Sequence, residues 1–297
     1  MERRILIRIR FRWESEGASG WSYAHCLPYF KRAQKHELGG DVYRGGDGPL
    51  HVSRGKSGNP LHEAFLAAGQ EAGYPLTEDV NGFQQEGMGW SDMTIHKGMR
   101  WSAAQAYLHP ALSRPNLETK TGVHVTRILL EGKRAVGVEY EEAGQLKQVR
   151  AEEVLLCGGA INSPQLLQLS GVGDADQLRE VGVQPVHHLP GVGANLQDHL
   201  EVYLVQQCTK PVSLYSQQRG LTMVKVGLQW FLNQTGDGAT THLESGAFLR
   251  SRPEVTKDIT SLFLYMAGCP SRYTNSFLPC SSNRSREDST KNRGFPG

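Results

Sequence analysis

The sequence lacks any hydrophobic run long enough to cross a membrane as a helix. Any membrane attachment is therefore expected to be peripheral. It lacks a charge excess: 32 Lys and Arg stand against 30 Asp and Glu, a formal net charge of +2. No strong field steers such a chain to nucleic acid. It has no CxxC pair, and its five cysteines (Cys26, Cys157, Cys208, Cys269 and Cys280) are scattered. That pattern indicates neither a zinc site nor a disulfide framework, and it favours a reducing compartment. No GxGxxG precedes Trp21, where an N-terminal nucleotide-binding strand would carry one. No histidine follows His242. The end of the chain, Ser281 to Gly297, has almost no apolar residue and is expected to be disordered.

What is present is an ordinary folded composition. With 297 residues, 38% of them hydrophobic, the chain can bury one large core or two modest ones. Its start, Met1 to Trp13, alternates Ile5, Ile7, Ile9 and Phe11 with Arg4, Arg8, Arg10 and Arg12. An Arg-rich, acid-poor start suits organelle targeting, but the period is two and not that of an amphipathic helix. Trp21 to Glu37 is expected to be helical with an interruption at Pro28. Gly39 to Gly58 is expected to be a loop with a short strand at Leu50-His51-Val52. Asn59-Pro60 caps a helix whose Leu61, Phe65, Leu66 and Ala68 face a core, ending at Gly73. Asp79 to Gly98 has many glycines and little periodicity, so it is expected to be a long loop. Ser102 to Leu108 is expected to be a short helix stopped near Pro110.

From Val123 the pattern turns to strands: Val123–Leu130, Ala135–Tyr140 and Leu146–Arg150, with turns at Glu131-Gly132-Lys133 and Ala143-Gly144-Gln145. This meander leads to Val154-Leu155-Leu156-Cys157, an apolar run expected to be a strand buried on both faces. Gly158-Gly159 follows, then Asn162 or Ser163 as N-cap and Pro164 at the first turn of a helix. A strand, a glycine turn and a helix N-terminus form a corner suited to anions or dinucleotides. The same residues also make an ordinary strand–turn–helix. Further on, Leu200–Cys208 and His242–Phe248 are expected to be strands and Leu221–Phe231 a helix. His187-His188 is expected to be an exposed turn pair, and no third ligand makes a metal site of it.

The run Gly159-Ala160, Ser163-Pro164, Leu166-Leu167 and Ser170-Gly171-Val172-Gly173 resembles a signature of the glucose–methanol–choline (GMC) oxidoreductases. Eighteen residues on, Gly191-Val192-Gly193-Ala194-Asn195-Leu196-Gln197-Asp198-His199 resembles that family's next flavin-side motif. Trp21–Phe30 and Gly98–Ala103 resemble its choline-oxidising members. The resemblance runs from about Gly17 to about Pro253. It implies an α/β (α+β) fold: part of an FAD-binding domain with the β-meander, plus part of an antiparallel-sheet substrate domain. It implies residues 1–20 as a non-family segment, 21–200 as the partial FAD-binding domain, 201–253 as the start of the substrate domain, and 254–297 as a tail.

The resemblance further implies FAD as cofactor and an alcohol, choline, as substrate, oxidised to betaine aldehyde with electrons passed to an acceptor. The setting it implies is the mitochondrial inner membrane. Val125 would meet the adenine through its backbone, although a core strand position explains it equally. Gly158, Gly159, Asn162, Ser163, Asn195, Asp198 and His199 would lie on the flavin side. Glu244 would face the choline cation, the alternative being a solvent-facing strand glutamate. Trp90, Tyr107 and Trp230 would be cage aromatics or, more simply, packing residues. Alcohol oxidation also needs a base. The family's catalytic histidine motif has no match here, so no catalytic residue is assigned. The chain by itself is expected to be catalytically incompetent, with apolar faces left unpaired.

Overall fold

The computed structural model describes residues 13–55, 58–198 and 208–250, and the backbone of 259–264. The expected strand from Leu200 to Cys208 falls outside these residues but for Cys208. So do nearly all of the alternating N-terminal stretch, the serine-rich tail and His199. The chain forms two compact units, one of Leu112–Gln206 and one of Met1–Ala111 with Gln207–Gly297.

In chain order the first elements are α1 (Tyr23–Ala33), β1 (Gln34–His36), β2 (Leu50–Arg54), α2 (Pro60–Glu71) and β3 (Gly87–Trp90). The short strands β4 (Asp92–Met93), β5 (Ile95–His96) and β6 (Met99–Arg100) follow. The middle holds β7 (His124–Glu131), β8 (Arg134–Glu142), β9 (Gln145–Arg150), α3 (Gly159–Leu169), β10 (Val172–Gly173), α4 (Ala175–Glu180) and β11 (His187–His188). The last elements are α5 (Gly220–Asn233), β12 (Ser245–Arg250) and β13 (Ile259–Leu264).

In the discontinuous unit, α1 is continuous through Pro28. A proline in a helix removes one N–H and crowds the preceding turn. Here Ser22 caps the start by accepting from the His25 N–H, and the helix survives the single lost bond. Helix α2 forms as its signals require, with the Asn59 side chain accepting from the Leu61 N–H and Pro60 opening the first turn. Its buried residues are His62, Leu66 and Gly69, which recur at the spacing of one helix face. Ala68, expected inside, is exposed. Gly69 takes the inner position because the Met88 side chain packs onto it; a Cβ there would lie 2.5 Å from Met88 atoms.

The expected loop Asp79–Gly98 contains strands. β3 pairs antiparallel with β12, Ser245 opposite Trp90 and Phe248 opposite Gly87, and β12 pairs with β13 on its other edge. Glycine-rich β3 has low strand propensity of its own, so tertiary pairing decides its state. Leu66, Met88 and Ala247 form the core here, with Phe65, Trp90 and Leu249 packed against it. The short helix after Ser102 is a π-turn, Ala104–Leu108, running into a 3-10 turn, His109–Ala111, that holds Pro110.

In the Leu112–Gln206 unit the meander β7-β8-β9 forms in the expected order, antiparallel throughout. Its register shifts twice, between Val125 and Arg127 and between Leu129 and Leu130. Thr126 at the first shift donates to the Glu139 backbone and side chain. Arg127 grips the same carboxylate through two nitrogens, at 3.0 and 2.9 Å. That hydrogen-bonded guanidinium holds the Glu139 carboxyl below the usual carboxylate range.

Val154–Cys157 is not a strand. Among the described residues it pairs with no other strand, and Leu155 is 77% exposed. An apolar run becomes a buried strand only when neighbours supply its ladder and cover its faces. His187-His188 is likewise no turn. It forms β11, parallel to β10, and His188 Nδ1 accepts from the Ala175 N–H at 3.1 Å.

Candidate functional site

Two groups of expected site residues are resolved, one in each unit. The first is the glycine corner. Helix α3 starts at Gly159, four or five residues before the expected first turn, and Pro164 lies within it. The reason is local. Gly159 adopts a left-handed φ of +85°, which a residue with a Cβ adopts only at a cost, and lets the chain turn into the helix early. The Ser163 side chain accepts from the Gly158 N–H at 3.0 Å. Asn162 and Ser163 are therefore not the N-cap. The cap position belongs to Gly158, and no side chain caps the helix.

A Cβ on Gly158 would come within 3.1–3.3 Å of Asn162 and Ser163, so glycine keeps this turn tight. Gly158, Gly159 and Asn162 are exposed. The result is an eleven-residue helix with an open, uncapped N-terminus behind a glycine turn. Its first amides and the helix dipole favour negative charge.

Helix α3 packs on β7, the strand that carries Val125. Val125 is half-buried opposite Tyr140, directly before the first register shift. Asn195 is exposed with a left-handed φ of +57°, and Asp198 is exposed.

The second group surrounds Glu244. Glu244 precedes β12 directly and is fully buried, so the solvent-facing alternative does not hold. Its backbone carbonyl accepts from the Ser91 N–H at 2.8 Å. Gly55 presses against its side chain. Thr240 Oγ1 donates to one carboxylate oxygen, Oε1. The other, Oε2, faces His62 Nε2 at 3.5 Å. The opposite ring nitrogen, Nδ1, lies 2.6 Å from Ser245 Oγ.

The Trp90 ring centroid is 6.1 Å from that of His62. Burial holds the His62 imidazole below the usual histidine range; Glu244 opposes that shift and His242 adds to it. Tyr107 is exposed, and Trp230 donates its indole N–H to the Gly98 carbonyl at 2.8 Å. His62, Thr240 and Ser245 were not singled out from sequence. The signal for His62 was its place on the buried face of α2, four residues before Leu66 and seven before Gly69.

Over 245 residues the chain is 65% identical to a mitochondrial choline dehydrogenase of Mus musculus, covering 82% of this chain and 41% of that protein. Over 257 residues it is 52% identical to an oxygen-dependent choline dehydrogenase of Brucella anthropi, covering 86% and 47%. The chain thus spans less than half the length of these relatives. Its structure matches an FAD-dependent oxidoreductase from Chaetomium thermophilum with a TM-score of 0.69 at 26% identity, over 80% of this chain and 45% of that one. The GMC oxidoreductase family model matches residues 8–201, about two thirds of the sequence. The meander, the glycine corner and the Asn195–Asp198 segment all fall within that span, and the chain belongs to the GMC oxidoreductase family.

Proposed function

We propose that this chain supplies part of an FAD-dependent oxidoreductase acting on choline. The observation that carries the reading is the open, uncapped start of α3 behind Gly158-Gly159, which is built to meet an anionic group. The residues present fit part of a dinucleotide. The first-turn amides of Gly159, Ala160 and Ile161, with the Asn162 side chain, would hold a phosphate-bearing portion. The backbone of Val125 would meet the adenine, and Asn195, Asp198 and His199 would lie on the flavin side. FAD, when bound, supplies the acceptor for the hydride of the alcohol carbon.

The choline assignment follows the names of the relatives, with Glu244 as the carboxylate that balances the quaternary ammonium and Trp90 as a neighbouring aromatic face. We assign no residue the role of base, and the chain by itself is expected to bind the flavin without oxidising choline. Electrons would pass to a separate acceptor. The setting would be the mitochondrion, with peripheral attachment to its inner membrane. Among the described residues no helix is long and apolar enough to cross one. A second reading, an alcohol without a cation, is favoured by the full enclosure of Glu244. Glu244→Gln separates the two, because a cation role predicts a loss confined to cationic alcohols.

The test is the visible absorbance spectrum of the purified chain with FAD, before and after choline. A flavin spectrum that choline does not bleach is the expected result. Bleaching overturns the claim that the chain by itself does not oxidise. A colourless protein overturns flavin binding and leaves only the family membership.

A further inference from the structure

The most constrained polar cluster is the one that joins α2 to the start of β12. His62 and Glu244 are both fully enclosed, and so is Ser245. The hydroxyl of Ser245 sits 2.6 Å from His62 Nδ1. Nε2 has no hydrogen-bond partner at normal distance, and it faces Glu244 Oε2 at 3.5 Å. A buried polar atom with no partner is costly, so the arrangement of protons around this ring is strongly constrained.

Two neutral tautomers are available to an imidazole. With the proton on Nδ1, the lone pair of Nε2 would face a carboxylate oxygen across 3.5 Å, which is repulsive. With the proton on Nε2, the Ser245 hydroxyl donates to Nδ1 and the Nε2–H faces the carboxylate. Only the second arrangement leaves every group with a favourable neighbour. Thr240 holds Oε1 from the other side. The carboxylate thus accepts from Thr240 at Oε1 and is faced at Oε2 by the His62 ring at 3.5 Å, both neutral neighbours.

We infer that His62 is a positioning residue for Glu244, with Ser245 fixing its tautomer so that Nε2–H is aimed at the carboxylate. The role rests on the reading of Glu244 as the partner of a cationic alcohol. A neutral donor is the useful kind of neighbour there. It orients Oε2 and leaves the negative charge intact, whereas an imidazolium would cancel the charge that a quaternary ammonium needs. The burial that keeps His62 neutral supports this. The titratable groups that act on the ring are Glu244 and His242, both in the segment leading into β12.

The experiment uses the full chain, labelled with 15N in histidine and 13C in the glutamate carboxyls. At pH 7 the His62 ring of the unmodified chain is expected to be neutral with its proton on Nε2. A proton on Nδ1, or on both nitrogens, overturns the inference without any variant having to fold. In Ser245→Ala the Nδ1–H form is expected to become detectable; its absence also counts against the role assigned to Ser245. In His62→Leu the 13C resonance of the Glu244 carboxyl is expected to shift, because the donor facing Oε2 is removed. In His62→Gln, which keeps a donor, it is expected to shift less. Identical carboxyl resonances in all three chains overturn the inference. Choline added to the same samples tests the other reading separately. An Nε2–H ring with no choline-induced shift at Glu244 removes the cation and leaves the positioning geometry in place.

Discussion

The Ser170 hydroxyl accepts from the buried Ile128 N–H at 2.8 Å and donates to the Leu166 carbonyl at 2.6 Å. One side chain thus joins the end of α3 to the middle of β7, the strand on which Val125 lies. Ser170→Ala leaves the Ile128 amide buried without its partner. Losing a buried hydrogen bond in this way costs about 1–3 kcal/mol. Urea unfolding of the chain should show that loss, while Ser170→Thr, which keeps the hydroxyl, should lose less.

The contact of Gly69 with Met88 predicts a reversible clash. A Cβ at Gly69 would fall 2.5 Å from Met88 Cε and Cγ. Gly69→Ala is expected to cost about 1–3 kcal/mol by overpacking. Shortening Met88 to Ala in the same chain makes room, so the double variant should be more stable than the two single losses summed. A double-mutant cycle with coupling near zero would show that the helix shifts instead.

The Asn59 side chain accepts from the Leu61 N–H and donates to the Val212 carbonyl at 2.8 Å. It therefore caps α2 and ties the helix to a segment far along the sequence. Asn59→Ala should cost about 1 kcal/mol for the cap alone. Asn59→Asp keeps the cap but cannot donate to Val212. A smaller loss for Asp than for Ala, read from denaturation midpoints, would divide the two contributions.

Three histidines fix the direction of the pH response. His62, His51 and His96 all have their ionisation pushed below the usual histidine range, burial being the largest cause in each. His51 and His96 are stacked with ring centroids 3.7 Å apart, and nearby Lys35 and Lys97 also disfavour their charged forms. The unfolded chain takes up protons as pH falls through about 6.5, before the folded chain does. More protons on the unfolded state mean stability that rises with pH. It is fully present above the unfolded value and is lost as pH falls below it, with a slope of about 1.4 kcal/mol per pH unit for each such proton. His96→Phe should keep a stacked ring and reduce that slope. An unchanged slope, measured by denaturation between pH 7 and pH 5, would remove His96 from the account.

The parts of the fold that sequence made visible are those decided by neighbours in the chain. Asn59-Pro60 specifies a helix start through its own side chain and ring. The meander carries its turns at Gly132 and Gly144 and its strand pattern between them. The parts that stayed hidden depend on partners distant in sequence. β3 is glycine-rich, and its strand state comes from pairing with β12 about 155 residues later. Val154–Cys157 has the composition of a buried strand, yet no ladder forms beside it among the described residues. In the candidate site, the glycine corner was readable from its motif, but not that Gly159 would start the helix early. The enclosure of Glu244 was unreadable, because beyond the local contact with Thr240 it depends on His62 and Gly55, which meet it only in three dimensions.

The Val154–Cys157 segment, which pairs with no strand among the described residues, has company elsewhere on the surface. Leu221 and Phe231 on α5 are 88% and 74% exposed. An apolar segment with no strand beside it can accept one from another chain. For this protein the amount in solution is therefore a variable in its own right. Dilution preserves the folded units, crowding of identical copies drives them into one another, and a turbidity curve that steepens with concentration is the behaviour this surface dictates.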